Sequence, residues 1–461
     1  MNKGHNTILF FLIVAIAFTF NFKANFYRSA ADGFFNYFQL DGESLVIGRL
    51  LLTNEKGFTE HAGFLGWTHP EPDTNNKYQF QYEAFEKGLD FDNYEGYYSQ
   101  PGVQAFLQGI ICRITGWKGY DGVDKLRWIV SFFTALAFTI FLYWVFMNWG
   151  LATTVGVFVL IIFSQWITVY GRNLFWVFSA FYIPFLTALC WLHQGEPKSR
   201  YPLKITFLLM FGSIFIKFLL TGFEFMTTVM VMAVTPWVFY AVDRQWDVKK
   251  TVRGGMAACG GVLAAVFAGA IWLAAQYGAM TGTFRNGIDY LLWSFGKRTH
   301  GSSLYTYDDF LERSTQSSQW EVIARYLNNH AFHVRHWFGN SVYEFVGIVN
   351  FAFCILFFFV MSYVALSSET IRKDEAFRRR QKALVWTLWA SLTAPMSWFV
   401  IFKGHSYIHF HMNAIIWYMP FMLFGFILTC NTFCYLIRHA WLSRKTSGNT
   451  DGASVEQLTD R

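Results

Sequence analysis

Apolar runs separated by short polar segments recur along the whole chain. About ten of these runs approach or exceed the ~20 apolar residues that an α-helix needs to cross the hydrocarbon core of a bilayer. They lie near residues 7–22, 127–146, 151–169, 174–193, 203–220, 224–242, 255–276, 342–366, 384–402 and 412–437. This pattern predicts an all-α polytopic membrane protein with about 10–12 transmembrane helices.

Composition agrees with a membrane protein. The 461 residues are 54% hydrophobic and only 15% charged, whereas roughly 25% of the residues in a soluble domain are charged. The net charge of +7 comes from basic clusters between the runs, not from a basic face with interleaved aromatic residues. Nucleic acid is therefore not expected as a partner, and the lipid bilayer is.

The basic clusters orient the predicted spans. They lie at residues 198–200, 244–253, 372–382 and 444–445, and all four fall on one side if the spans alternate. The positive-inside rule makes that side cytoplasmic, so both termini are expected in the cytoplasm, and a bacterial inner (plasma) membrane is the expected location. A cleaved signal peptide is an alternative for the first run, but the residues that follow it form a poor cleavage region.

The orientation divides the chain into six parts. These are a first transmembrane helix (1–22), a first extracytoplasmic loop (23–126), a transmembrane bundle (127–277), a second extracytoplasmic loop (278–341), C-terminal transmembrane helices (342–437) and a cytoplasmic tail (438–461). Both loops are rich in Trp, Tyr and Gly, unlike disordered linkers, so we expect function there. In the first loop, residues 44–52 and 103–114 have the amphipathic pattern of short interfacial helices.

Three carboxylates follow the first predicted span, namely Asp32, Asp41 and Glu43. A carboxyl group held partly out of water can serve as a general base near neutral pH, because burial raises its pKa. The structural alternative is that Asp41 caps the helix that follows it.

Basic and further polar residues lie in or beside three outward-facing turns. Lys217 and Glu224 flank one turn. Ionisable groups at the edge of a span mark a functional site unless they only pair with each other or the lysine extends its ammonium group to the membrane interface. Arg172 lies in a second turn. A third turn contains Lys403, followed by His405, His409 and His411. These histidines could bind an anionic head group or serve a structural role; a metal is less expected, because no Asp, Glu or Cys accompanies them.

The acids and cations just described all map to one membrane face. Such a set is what sugar transfer from a lipid phosphate needs, because an acid can take the proton of the acceptor hydroxyl while cations stabilise the departing phosphate. In this interpretation Arg172, Lys217, Lys403 and His405 bind the donor phosphate, and Glu224 and His409 complete the polar site.

Two stretches of the first loop resemble the GT-C superfamily of membrane glycosyltransferases. Residues 41–51, with the sequence DGESLVIGRLL, are similar to the acidic motif and following helix that open the first external loop in that family. Residues 98–107, with the sequence YSQPGVQAFL, are similar to the proline-containing start of the later interfacial helix. The family commonly has more spans than are counted here, and a further helix near 288–295 would narrow that difference.

The resemblance implies a reaction and a set of roles. A sugar would move from a polyprenyl-phosphate donor to a glycan, lipid or protein acceptor with inversion at the anomeric carbon. Asp41 would be the catalytic base, assisted by Glu43 or Asp32. No cofactor is implied, although two carboxylates and a phosphate could hold a divalent metal ion. Trp67, Trp117 and Trp337 are available to stack on sugars.

Three other functions stay open at this stage. A polysaccharide polymerase or ligase that uses diphosphate-linked glycans would also place basic residues in large external loops. A transporter would explain Lys217 and Glu224, although the sequence has no evident inverted repeat. A purely structural protein is less expected, because buried charge is costly.

Overall fold

The part of the chain that the structure describes is predominantly helical. The structure is a computed structural model that describes residues 3–71, 76–194, 202–301, 308–332 and 349–456. It is 80% helical, and the described residues contain a single two-stranded sheet. This agrees with the predicted all-α class.

The N-terminal part contains the sheet and several short helices. Its elements are α1 (Lys3–Ala24), α2 (Asp32–Tyr37), α3 (Leu40–Lys56), β1 (Leu65–His69), α4 (Lys77–Lys87), β2 (Asn93–Tyr97) and α5 (Val103–Thr115).

Longer helices dominate the remainder of the chain. They are α6 (Gly119–Ile162), α7 (Gln165–Tyr170), α8 (Ser179–His193), α9 (Pro202–Thr221), α10 (Met226–Asp243), α11 (Val248–Thr281), α12 (Phe284–Arg298), α13 (Asp309–Gln316), α14 (Gln319–Asn328), α15 (Phe351–Ser367), α16 (Glu369–Lys373), α17 (Glu375–Ser391), α18 (Thr393–Ile401), α19 (Lys403–Ile408) and α20 (Phe421–Glu456).

Seven helical stretches within the described residues are long and apolar enough to cross a membrane. They are Asn6–Ala24, Gly119–Ile162, Pro202–Thr221, Met226–Asp243, Val248–Thr281, Glu375–Ile401 and Phe421–Ser443. The coarse prediction of a polytopic membrane protein is consistent with this finding.

The described residues contain seven such stretches, whereas the sequence predicts about ten spans. The difference has identifiable causes. The predicted span 127–146 and most of the span 151–169 fall within the single element α6, which is broken at Gly150, where φ is 80° and ψ is −178°. Two others correspond to α8 and α15, which are apolar but shorter. Part of the predicted 342–366 span, together with Trp337, lies outside the described residues.

The predicted short helices of the outer loops are present with different ends. The helix expected over 44–52 begins earlier, as α3, and its N-cap is Gln39, so Asp41 lies in the first turn instead of capping it. The helix expected over 103–114 is α5. The helix expected near 288–295 extends over the whole of α12.

Close packing joins α3 to the small sheet. A Cβ atom on Gly48 would lie 2.2 Å from the carbonyl oxygen of Gly66 in β1, so only glycine permits this approach. Arg49, one residue further on, is buried and donates hydrogen bonds of 2.6 Å to the carbonyl oxygens of Glu60 and Phe58. These contacts fix the orientation of α3 and hence of the acidic residues in its first turn.

Candidate functional site

A polar cavity of about 280 Å³ lies where α3, α12 and α19 meet the turn between α9 and α10. Four of the titratable residues singled out in the sequence line it, and the last two residues of α12 join them. The set is Asp41, Glu224, Lys297, Arg298, His405 and His409. The tertiary structure therefore brings together part of the predicted site, and it adds two cations.

Asp41 offers a carboxylate on a fixed backbone. Its side chain is exposed, whereas the first turn of α3 is tied to the sheet. The Ser44 hydroxyl donates to the Asp41 carbonyl oxygen at 2.6 Å and accepts a 2.8 Å hydrogen bond from the indole N–H of Trp67 in β1. Asp41 is thus available to a ligand that enters the polar cavity, and Trp67 lines the same space.

Glu224 is the buried acid of the polar cavity. One carboxylate oxygen lies 3.4 Å from a guanidinium nitrogen of Arg298, and the other lies 3.7 Å from Nε2 of His405. Arg298 also donates to the Ser99 hydroxyl at 2.9 Å. Burial alone would lower the pKa of Arg298, but Glu224 raises it above its ordinary value, so the guanidinium is charged.

The two cavity histidines are neutral at physiological pH. Burial, reinforced by His409 and Arg298, holds the pKa of His405 well below its ordinary value. Burial, followed by the influence of His411, lowers the pKa of His409 to about 3. Both rings can therefore exchange hydrogen bonds with a ligand, but the positive charge of this site comes from α12.

Lys217 supports the cavity from outside. Its ammonium group is fully buried and donates to the carbonyl oxygens of Gly222, at 2.9 Å, and of Glu224. The interaction with Glu224 is therefore made to its main chain, and the carboxylate remains directed to Arg298 and His405. Lys217 holds the turn that carries Glu224, and it does not line the polar cavity.

Glu43 belongs to a separate buried ion pair. Its carboxylate accepts two hydrogen bonds from Arg127, one of them at 3.2 Å, and a third from the Tyr82 hydroxyl at 2.9 Å. Burial would raise the pKa of Glu43, but the ion pair with Arg127 lowers it below the ordinary value. All of these interactions are with the protein, and Glu43 is not among the lining residues of the polar cavity.

The remaining predicted residues also lie outside the polar cavity. Arg172 donates to the Phe35 carbonyl oxygen at 2.8 Å, with its guanidinium carbon 4.0 Å from the Phe35 ring centre. Burial, followed by the influence of Arg127, lowers the pKa of Arg172 to about 10. Asp32 is exposed at the start of α2, and Lys403 is buried at the start of α19, where burial lowers its pKa.

The three histidines between residues 405 and 411 lie near one another. The ring centres of His405 and His409 are 4.3 Å apart, and those of His409 and His411 are 6.0 Å apart. Among the described residues, no group of three or more His, Cys, Asp or Glu side chains is arranged to hold a metal ion.

An apolar groove of about 610 Å³ adjoins the polar cavity. Helices α10, α11 and α12 supply most of its walls, through residues that include Met226, Met230, Val266, Ala270, Leu291 and Leu292. Leu292 is more than half exposed, so the groove is open along this side of the helices. Ser99 and Arg298 line both the groove and the polar cavity.

Lys297 and Arg298 are candidate site residues that were not predicted from the sequence. They end α12, in the predicted second extracytoplasmic loop, where the sequence suggested only an additional helix. The sequence does contain a signal for them, because these two adjacent cations directly follow an apolar stretch. Charged residues beside an apolar helix are an indicator of function. Ser99 carried no comparable signal, since a lone serine in a loop is common.

Comparison with protein-family models, with curated proteins and with solved structures gives no match to this chain. An assignment of function therefore depends on the geometry and chemistry of the site.

Proposed function

We propose that the chain is an inverting membrane glycosyltransferase. It moves a sugar from a polyprenyl-phosphate donor to a glycan, lipid or protein acceptor on the extracytoplasmic face of the membrane. In this proposal the protein resides in a bacterial inner membrane, has both termini in the cytoplasm, and contributes to cell-envelope polysaccharide biosynthesis.

The observation that carries the proposal is the junction between the apolar groove and the polar cavity. A ligand that fills both spaces must be an amphiphile with a long apolar chain and a compact polar head. Its charged group would lie at the junction, beside Arg298 and Lys297. Arginine and lysine are the side chains that bind phosphate best, through charge-assisted hydrogen bonds. A prenyl phosphate diester has this shape and charge.

In the proposed reaction, the acid and the cations that line the polar cavity have separate roles. Asp41 takes the proton from the acceptor hydroxyl, whose oxygen attacks the anomeric carbon of the donor sugar. The bond between that carbon and the phosphate oxygen breaks, and its electron pair leaves with the prenyl phosphate. Arg298 and Lys297 stabilise the additional negative charge on the phosphate, and Asp41 then releases its proton to solvent.

The size of the polar cavity favours a monosaccharide over a longer glycan. At about 280 Å³, it is at or below the lower limit of roughly 300–1,000 Å³ for small-molecule sites. This space suits one sugar ring beside a phosphate. A polymerase or ligase that binds a diphosphate-linked oligosaccharide would need a longer channel on the donor side.

Lys297 gives the proposed donor site a pH dependence. Burial and the neighbouring Arg298 lower its pKa to about 8, so the ammonium form is lost as the pH rises through about 8. Because the charged form binds phosphate, we expect the KM for the donor to rise above that pH, by up to ~10-fold per pH unit. Lys297→Arg keeps its charge and should remove the rise. An unchanged rise in this variant would show that another group titrates.

The function is tested by a mass-spectrometric survey of polyprenyl-linked sugars in cells that lack the chain. One polyprenyl-phosphate sugar should accumulate, because its consumer is missing. Re-expression of the wild type should remove it, whereas Ala270→Trp, which fills the apolar groove, should not, because the donor chain has no space.

Ala257→Trp is the matched control for this experiment. Ala257 lies near the other end of α11 and is not among the lining residues of the groove, so this variant should restore the lipid pool as the wild type does. Unchanged lipid-linked pools in the deletion strain would reject the glycosyltransferase, and uptake by reconstituted vesicles would then be measured to test a transporter.

A further inference from the structure

Two residues of the polar cavity each have a buried polar atom without a hydrogen-bond partner among the described residues. One atom is the Glu224 carboxylate oxygen that lies 3.7 Å from Nε2 of His405, beyond hydrogen-bond distance, and the other is the indole N–H of Trp176. Both residues line the polar cavity, and they are only 2% and 1% exposed. Unpaired buried donors and acceptors are unfavourable in a folded protein, and at a cavity they indicate atoms that a ligand satisfies.

Both groups are held rigidly. The Trp176 ring stacks on Phe225 with its plane inclined by 7° and a centroid distance of 5.2 Å. Phe225 directly follows Glu224, whose main-chain carbonyl oxygen accepts the hydrogen bond from Lys217. The acceptor and the donor therefore belong to one packed unit, which favours recognition of a fixed ligand geometry.

A hydroxyl group can satisfy both atoms. It donates one hydrogen bond and accepts others, so adjacent sugar hydroxyls can donate to the Glu224 carboxylate and accept from the Trp176 indole. A phosphate diester cannot fill this role, because at neutral pH it has no proton to donate to the carboxylate and would be repelled by it. The polar cavity thus has a cationic end at Arg298 and Lys297 for the phosphate and a hydroxyl-binding pair beside it.

We propose that Glu224 and Trp176 recognise hydroxyl groups of the transferred sugar and so select the donor. This proposal rests on the function proposed above. A site built to hydrogen-bond a substrate hydroxyl discriminates strongly against a ligand that lacks it, because its buried polar groups are then left unpaired.

The test compares two classes of short-chain probe with the same charge. Farnesyl phosphate diesters of glucose, galactose and mannose carry a sugar, and methyl farnesyl phosphate carries none. Their dissociation constants are measured with the full chain in detergent. We expect the wild type to bind at least one sugar diester ~10-fold more tightly than the methyl diester, as one or two additional hydrogen bonds would give.

Trp176→Phe is the decisive variant, because it removes the indole N–H and keeps an aromatic ring against Phe225. No protein hydrogen bond is lost, so the variant should fold. We expect the preference for the sugar diester to fall ~5-fold or more while the affinity for the methyl diester stays unchanged. Glu224→Gln, which removes the negative charge of the acceptor, should also lower the preference.

Trp417→Phe is the matched control. Trp417 is fully buried, stacks on Phe351 and also has an unpaired indole N–H among the described residues, but it does not line the polar cavity. Its replacement should leave the preference unchanged.

The outcomes separate the two proposals. A wild type that binds none of the prenyl phosphates would reject the glycosyltransferase itself. A wild type that binds the methyl diester as tightly as every sugar diester would overturn hydroxyl recognition. A preference that survives in both Trp176→Phe and Glu224→Gln would also overturn it, with the proposed function intact.

Discussion

Asp41→Asn is expected to lower the kcat of sugar transfer by ~10²–10⁴-fold, the usual contribution of a general base. The amide keeps the size of the side chain but cannot accept the proton of the acceptor hydroxyl. Because Asp41 is exposed, the change should leave folding and the KM for the donor nearly unchanged. The measurement is steady-state kinetics of the purified protein with a prenyl-phosphate sugar.

Asp32→Asn provides the matched control for that experiment. Asp32 is also an exposed carboxylate in the segment that follows α1, but it does not line the polar cavity. We expect its kcat to equal that of the wild type. Full activity of Asp41→Asn would show that Asp41 is not the base. Loss of activity in Asp32→Asn alone would assign that role to Asp32.

Glu43→Gln should act on stability and not on the chemical step. Removing one partner of a buried ion pair typically costs ~3–5 kcal/mol, because it leaves the other charge, here that of Arg127, uncompensated. Since the pKa of Glu43 is lowered in the folded protein, its stabilising contribution is present above the ordinary value of 4.5 and lost as the pH falls through the lower, folded value. Thermal unfolding in detergent, measured from pH 7 downwards, should show both effects.

A double variant separates a structural from a catalytic role for Glu43. Replacing Glu43 by Leu and Arg127 by Met removes both charges, and such replacements are often neutral for stability. We therefore expect the double variant to regain most of the lost stability and to retain sugar transfer. A stable Glu43→Gln protein without activity would instead support the assisting catalytic role that the sequence resemblance implies.

Four residues of the polar cavity could be predicted from sequence, because each lies beside an apolar span. Asp41 follows an apolar span, Glu224 begins another, and His405 and His409 fall in a polar turn between two more. Hydropathy and alternation of the spans put all four on one face. The structure brings them to one cavity, which local patterns suggested but could not demonstrate.

The pairing of charges could not be predicted, because it depends on distant parts of the chain. Glu43 was grouped with the catalytic acids, yet its partner Arg127 lies 84 residues away. Arg298 lies 74 residues from Glu224 and 199 residues from Ser99, both of which it contacts. No periodicity in a single segment contains such information.

The limits of the helices were also only partly predictable. Hydropathy located the apolar runs, but it could not show that two of them share α6 with a break at Gly150. It also placed the end of the last span at 437, whereas α20 continues to Glu456, because charged residues that end a hydrophobic run do not by themselves end a helix.

The junction of the apolar groove with the polar cavity has a consequence for how the concentration of a lipid donor is expressed. In the proposed function, a prenyl donor bound across this junction would exchange with the surrounding lipid, so its occupancy would follow its mole fraction in the leaflet and not its amount per volume of buffer. Diluting vesicles with buffer would leave that occupancy unchanged, whereas diluting the donor with inert lipid would reduce it. A water-soluble acceptor would respond to dilution independently of the donor, whereas a lipid acceptor would follow its own mole fraction in the leaflet.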